Sequence, residues 1–286
     1  FSLGHLKSLA RRVLPVAMLT IGVLLAVLPV TVRNYLVADQ FVLVSSQGGV
    51  NLYLGNNPVA NGLVMLMPEV ELNEGVSWRQ FIPATNKAAE QEVGHSMTDA
   101  EISDFWTDKA IDWATENPGD FIVLTFKKVI YLLSGLENSD NANIYHERSQ
   151  SWLYSILVWH AGLYFPFGLL LPLFVSGVIM YRHRWRDLLP IYLFLLAYIP
   201  SIVLFLVTAR HRLPLIPFMI ILAAALVVGL VTNWRSLSAQ RRIALIAVML
   251  IVGVVFNRTF FEASVGSEFQ QHFNDGLRYD RLEDYD

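Results

Sequence analysis

Apolar side chains run nearly unbroken through five stretches of the chain: 13–32, 152–181, 188–207, 213–232 and 243 to about 256. The first four reach the roughly 20 residues that a helix needs to cross about 30 Å of hydrocarbon. The fifth is short unless it continues past Asn257 and Arg258 to Phe261. A sixth apolar run, 121–133, is interrupted by Lys127 and Lys128. This pattern predicts a mostly α, polytopic membrane protein with about five transmembrane helices.

Between the first run and the second the periodicity changes. Residues 41–62, FVLVSSQGGVNLYLGNNPVANG, predict two short β-type runs around Gln47-Gly48-Gly49, closed by Gly55-Asn56-Asn57-Pro58. Gly48 and Gly49 are expected at positive φ, where a β-branched side chain would not fit. Thr98-Asp99-Ala100-Glu101 has the form of a capping box and opens a helix to about Glu116, which Asn117-Pro118-Gly119 stops. Its apolar face, Ile102, Phe105, Trp106, Ala110 and Trp113, is expected to be packing rather than a binding box. Four regions follow: a cytoplasmic end and first span at 1–32, an outer α+β cap with an interfacial helix at 33–151, four spans at 152–257, and a tail at 258–286. The tail carries seven acids against three arginines and is expected outside.

Composition agrees with the pattern. Of 286 residues 54% are hydrophobic and only 16% charged, with a mean hydropathy of +0.45. A soluble domain carries about 25% charged residues, so the chain is read as an integral membrane protein. The net charge of −3 decides little, because in such a protein the position of charge matters more than its sum. With no cysteine, disulfides and thiolate metal sites are excluded. The chain begins at Phe1 and enters an apolar run almost at once without a cleavable signal, as expected of a piece of a longer protein.

Three basic clusters set the expected orientation: Lys7, Arg11 and Arg12; Arg182, Arg184 and Arg186; and Arg235, Arg241 and Arg242. With all three cytoplasmic, the spans alternate only if 121–133 does not cross. That segment is therefore expected to lie along the outer interface with both lysines among headgroups.

The same orientation puts TARHRLPLIPF, residues 208–218, at the outer face, with Arg210, His211 and Arg212 in a short loop. Two readings stand. The basic side chains snorkel to headgroups and anchor two span ends, or their guanidinium forks hold a phosphate. Pro214 and Pro217 suit a first helical turn, whose free N–H groups would aim at the same anion. In 41–62 the amides of Gln47, Asn51, Asn56 and Asn57 either face a ligand or only make turns. Glu137, Asp140, His146 and Glu147 form a polar outer loop. There is no His-x-x-x-His pair, phosphate-binding loop or nucleophile elbow, and the acids of Asp284-Tyr285-Asp286 sit at a chain end. No metal site and no nucleic-acid partner are expected of this chain. The absence of acids inside the spans argues against an ion-coupled transporter.

RNYLVADQFVLVSSQGGVNLYLGNN, NPGDF, LENSDNANIY and TARHRLPLIPF follow one another in this order. In this order and spacing they resemble the C-terminal half of polytopic glycosyltransferases of the dolichyl-phosphate-mannose protein mannosyltransferase and aminoarabinose transferase superfamily, bacterial members above all. The resemblance covers about residues 33–232. It implies a polyprenyl-phosphate sugar donor, work at the outer face of a bacterial inner membrane, and a catalytic acid in an upstream loop that this chain does not contain. It leaves room for a divalent metal in the complete enzyme. It places Arg210 and Arg212, with His211, near the carrier phosphate. It also puts Glu137 near the donor and acceptor cavity, which the loop of Gly48, Gly49, Asn51, Asn56 and Asn57 is expected to face. The competing expectation is a non-catalytic membrane scaffold whose outer domain binds a protein or polysaccharide.

Overall fold

A computed structural model describes residues 3–39, 41–70, 78–138, 145, 148, 151–159 and 162–258. The tail from 259, Asp140, His146, Glu147 and the side chains of Lys7, Arg11 and Arg12 lie outside the described residues. The chain is mostly helical: α1 (Leu3–Ala38), α2 (Gly48–Gly55), α3 (Trp78–Val93), α4 (Asp99–Glu116), α5 (Pro118–Leu133), α6 (Trp152–Leu157), α7 (Phe167–Met180), α8 (Leu189–Val203), α9 (Ala209–Arg212), α10 (Ile216–Asn233) and α11 (Ala239–Phe256). Short 3-10 turns follow α7, α9 and α10 at Arg182–Arg184, Leu213–Leu215 and Trp234–Ser236.

Three helical stretches are long and apolar enough to cross a membrane, Val16–Val37, Ala209–Ser236 and Ala239–Phe256. The second begins at α9, so Arg210, His211 and Arg212 belong to the first turn of a membrane-length helical stretch and not to a loop before it. The expected run at 188–207 yields the 15-residue α8. The run at 152–181 is not one helix. It breaks after α6, turns at Gly162 with positive φ, and pairs Trp159 with Phe165 in a single antiparallel bridge. Pro166, which lacks an N–H to bond backward, then precedes the 14-residue α7.

Glycine sets how closely the bundle helices approach. A side chain at Gly168 would run into Asn257, and one at Gly177 into the Leu222 carbonyl. Asn257 fastens α11 to α7 by donating to the Gly168 carbonyl at 2.9 Å and accepting from the Tyr164 N–H at 2.7 Å. Leu132, Phe167, Leu171, Leu195, Val203, Leu215 and Met219 fill the space between the helices.

The cap differs from its expected form. Among the described residues it holds no strand, and the α+β expectation for 41–62 is corrected to a loop followed by α2. Val50, Leu52 and Leu54 alternate as in a strand, but Val50, Tyr53 and Leu54 also share one helical face, and these three are buried. Tyr53 stacks on Trp106 of α4 with ring centroids 5.0 Å apart. Gly48 and Gly49 are helical and have no positive φ. What Gly49 supplies is room, since a Cβ there would strike the Ser103 carbonyl.

α4 forms as predicted. Thr98 accepts from the Glu101 N–H at 3.3 Å, and Glu101 accepts from the Thr98 N–H at 2.7 Å, which completes the capping box. Ile102, Trp106 and Ala110 are buried, and Pro118 opens α5 directly after α4 ends. The expectation for the two lysines of α5 is half corrected. Lys127 is exposed, whereas Lys128 shares a buried face with Leu124 and Leu132.

Candidate functional site

Residues of the cap loop, α2 and the α8–α9 junction enclose a cavity of ≈ 840 Å3. Leu43, Val44, Ile202, Phe205 and Leu206 make its apolar wall, and Ser45, Gln47, Asn51, Ser201 and Thr208 bring hydroxyls and amides. Arg210, His211 and Tyr198 complete the lining with Gly48 and Met65.

The frame of the cavity comes from side chains gripping backbone. Near the end of α1, Thr31 donates to the Leu43 carbonyl at 2.7 Å, and Asn34 donates to the carbonyls of Val42 at 3.1 Å and Val44 at 3.3 Å. An irregular segment has no helical or sheet partners for its carbonyls, and these side chains supply them. On the opposite wall Asn56 donates to the Leu204 carbonyl at 2.7 Å, and Gly55 lets α2 lie against Phe205. The His211 ring is set by Thr208, whose hydroxyl lies 3.0 Å from Nδ1, while the Tyr198 hydroxyl donates to the His211 carbonyl at 3.2 Å.

The structure separates the two arginines that the sequence pairs. Residues two apart on a helix point about 200° apart, so Arg210 and Arg212 cannot present one joint fork. Arg210 lines the cavity. Arg212 is only 2% exposed and turns into the protein, donating to the carbonyls of Ser134 at 2.6 Å and Leu136 at 2.7 Å. It stands 3.3 Å from the Glu137 carboxylate, and its guanidinium lies 4.4 Å from the centre of the Phe167 ring. Glu137 is thus a partner of Arg212 and not part of the cavity lining. Burial raises its carboxyl above the usual pKa, and the charge of Arg212 opposes that shift.

The expected amide residues divide in the same way. Asn51 and Gly48 reach the cavity. Asn57 is buried and donates to the carbonyls of Tyr53 and Leu66. Asn56 is buried too, and its Oδ1 accepts from the Lys128 ammonium at 3.0 Å. Burial pushes Lys128 down to about 8. Asn138, which drew no notice in the sequence, donates to the Leu63 and Val207 carbonyls, and its own carbonyl accepts from the Ala209 N–H. Its signal was faint: an asparagine beside an expected site residue.

A second polar cluster lies within the cap. Tyr53 donates to Glu69 at 2.7 Å, and Lys109 bridges Glu69 at 2.9 Å and Glu92 at 2.6 Å. Lys109 also stands 5.4 Å from the centre of the Trp106 ring. Burial, with Glu69 beside it, raises the pKa of the Tyr53 phenol. Lys109 is shared between two carboxylates, and the cluster ties α2, α3 and α4 together. Among the described residues no set of three histidines or acids could hold a metal ion.

Compared with protein-family models, with curated proteins and with solved structures, the chain has no match in any of the three.

Proposed function

We propose that the chain is the carrier-phosphate half of a membrane glycosyltransferase. It would serve transfer of a sugar from a polyprenyl-phosphate donor to an acceptor at the outer membrane face. The observation that supports this is the mixed lining of the cavity, in which Arg210, His211 and several hydroxyls stand among Leu43, Val44, Ile202, Phe205 and Leu206. A polyprenyl phosphate joins the same two chemistries, a charged group at the end of a hydrocarbon chain. Departure of the sugar leaves negative charge on that phosphate, and a fixed cation at a low-dielectric interface stabilises it more strongly than water would.

In this reading α1, α7, α8, α10 and α11 make five passes, and the cap faces the exterior of a bacterial inner membrane. Arg210 and His211 meet the phosphate, while Arg212 and Glu137 hold the junction from behind. The catalytic acid, and any divalent metal, come from another part of the complete enzyme.

The test uses the full chain in lipid, with binding of a polyprenyl phosphate and thermal melting measured on the same samples. Arg210→Ala should lower affinity roughly tenfold to hundredfold, the loss of one charge-assisted bond to the phosphate, and weaken donor binding far more than it weakens folding. Arg210→Lys should recover part, because it keeps the charge and loses the fork. Arg212→Ala should instead lower melting, since it strands Glu137 and two buried carbonyls. Unchanged affinity in Arg210→Ala would end the reading in favour of a scaffold whose cap binds a protein or polysaccharide.

A further inference from the structure

The contacts along the bundle fix what lies at its far end. α7 and α11 run antiparallel, with Gly168 beside Asn257 and Pro172 beside Gly253. α7 and α10 run parallel, with Gly177 beside Leu222 and the Tyr181 hydroxyl donating to the Ala225 carbonyl at 2.9 Å. Following this register away from the cap brings together the end of α7, the end of α10 and the first turn of α11.

Those three ends carry Arg182, Arg184, Arg186, Arg235, Arg241 and Arg242. The single acid in the two connections is Asp187, which pairs with Arg184 at 2.9 Å. Each connection also has a tryptophan against an arginine. Arg186 lies 5.4 Å from the centre of the Trp185 ring, and Arg242 lies 5.6 Å from that of Trp234. Both indoles stay open, Trp185 at 50% and Trp234 at 38% exposure.

We propose that this end of the bundle is a docking surface for anionic phospholipid headgroups. The surface borders Ala209–Ser236 and Ala239–Phe256 directly, so what meets it in a bilayer is the headgroup layer. Tryptophan favours that depth, with its ring among acyl chains and its N–H in the polar zone. A guanidinium stacked on an indole face keeps its in-plane N–H donors, and their fork matches the two free oxygens of a phosphodiester. Positive charge exceeds negative by five here, counting six arginines against Asp187, and zwitterionic headgroups would leave that excess unanswered. The inference does not depend on the cavity or its ligand.

The test reconstitutes the full chain in phosphatidylcholine vesicles that contain a small share of phosphatidylglycerol with brominated acyl chains. Quenching of tryptophan fluorescence then reports which lipid gathers at the protein. Brominated phosphatidylglycerol should be enriched over brominated phosphatidylcholine, and the preference should weaken as salt rises. Each arginine neutralised should lower the preference about fivefold, so R235Q/R241Q loses most of it. R235K/R241K should keep most of it, and Lys87→Gln, exposed on α3 of the cap, should change nothing. Equal quenching by the two lipids overturns the proposal, as does a parent-like preference in R235Q/R241Q or an equal loss in Lys87→Gln. Preferential capture of polyglutamate, unaffected by lipid composition, also overturns it, because the surface would then belong to an acidic protein.

Discussion

Lys128 puts a primary amine where water does not reach. Its stem packs against Gly62, which has positive φ, and its ammonium has Asn56 Oδ1 at 3.0 Å. In the unfolded chain the amine titrates near 10.5, and burial brings it to about 8 in the fold. Between those values the unfolded chain still binds a proton that the folded chain has released, so stability rises with pH across that window. The penalty of burying the charge is fully present below it. Relative to Lys128→Met, the native chain should gain about 3 kcal/mol between pH 8 and 10.5, read as converging melting curves in detergent. A gap that stays constant with pH would mean the amine keeps its proton. The sequence held this arrangement in plain view. Leu124, Lys128 and Leu132 fall four apart and share a face, while Lys127 is turned off it. The same rule separates Arg210 from Arg212. What hid both was treating neighbouring charges as a cluster before choosing the helical period.

Helices reveal themselves in sequence when their ends carry chemistry. α4 was legible because Thr98 and Glu101 bond reciprocally across its first turn. α3 has Pro83 inside, and among its described side chains Phe81, Thr85 and Ala89, four apart and buried, mark its inward face. α2 was misread because eight residues fit two periods at once, and the partner that chose between them, Trp106, lies more than fifty residues away. Packing of α2 on α4 depends on one missing side chain. Gly49→Ala should lower stability by about 1–3 kcal/mol, because the methyl group meets the Ser103 backbone. Gly48→Ala, with nothing within 4 Å of its Cβ, should cost nothing and gain at most about 1 kcal/mol from helix propensity. Thermal melting of the two variants decides it. Equal losses would show that the close approach is not what fixes the glycine.

At the scale of the molecule, composition and run length were enough to read a helical chain with membrane-length stretches. They could not count the passes. Trp152 to Tyr181 has the apolar content of one span and is broken by the turn at Gly162 and by Pro166. The chain has no cysteine, so a single introduced thiol reports its own position without background. Val59→Cys and Asp120→Cys, both exposed on the cap, should react together with an impermeant reagent applied to one side of a sealed membrane. Ser236→Cys, exposed in the connection after α10, should react only from the other side. Reaction of all three from one side would mean that Ala209–Ser236 does not cross.

The cavity is framed by side chains that hold the main chain of its walls. Thr31 and Asn34 take the carbonyls of residues 42–44, Asn56 takes that of Leu204, and Asn138 takes that of Val207. A peptide carbonyl is the same group whatever residue bears it. Leu43, Val44, Phe205 and Leu206 can therefore be exchanged for other side chains while the grips that place them remain. The molecule keeps its mould apart from its lining, which gives mutation a way to change what the cavity accepts without first having to rebuild the cavity.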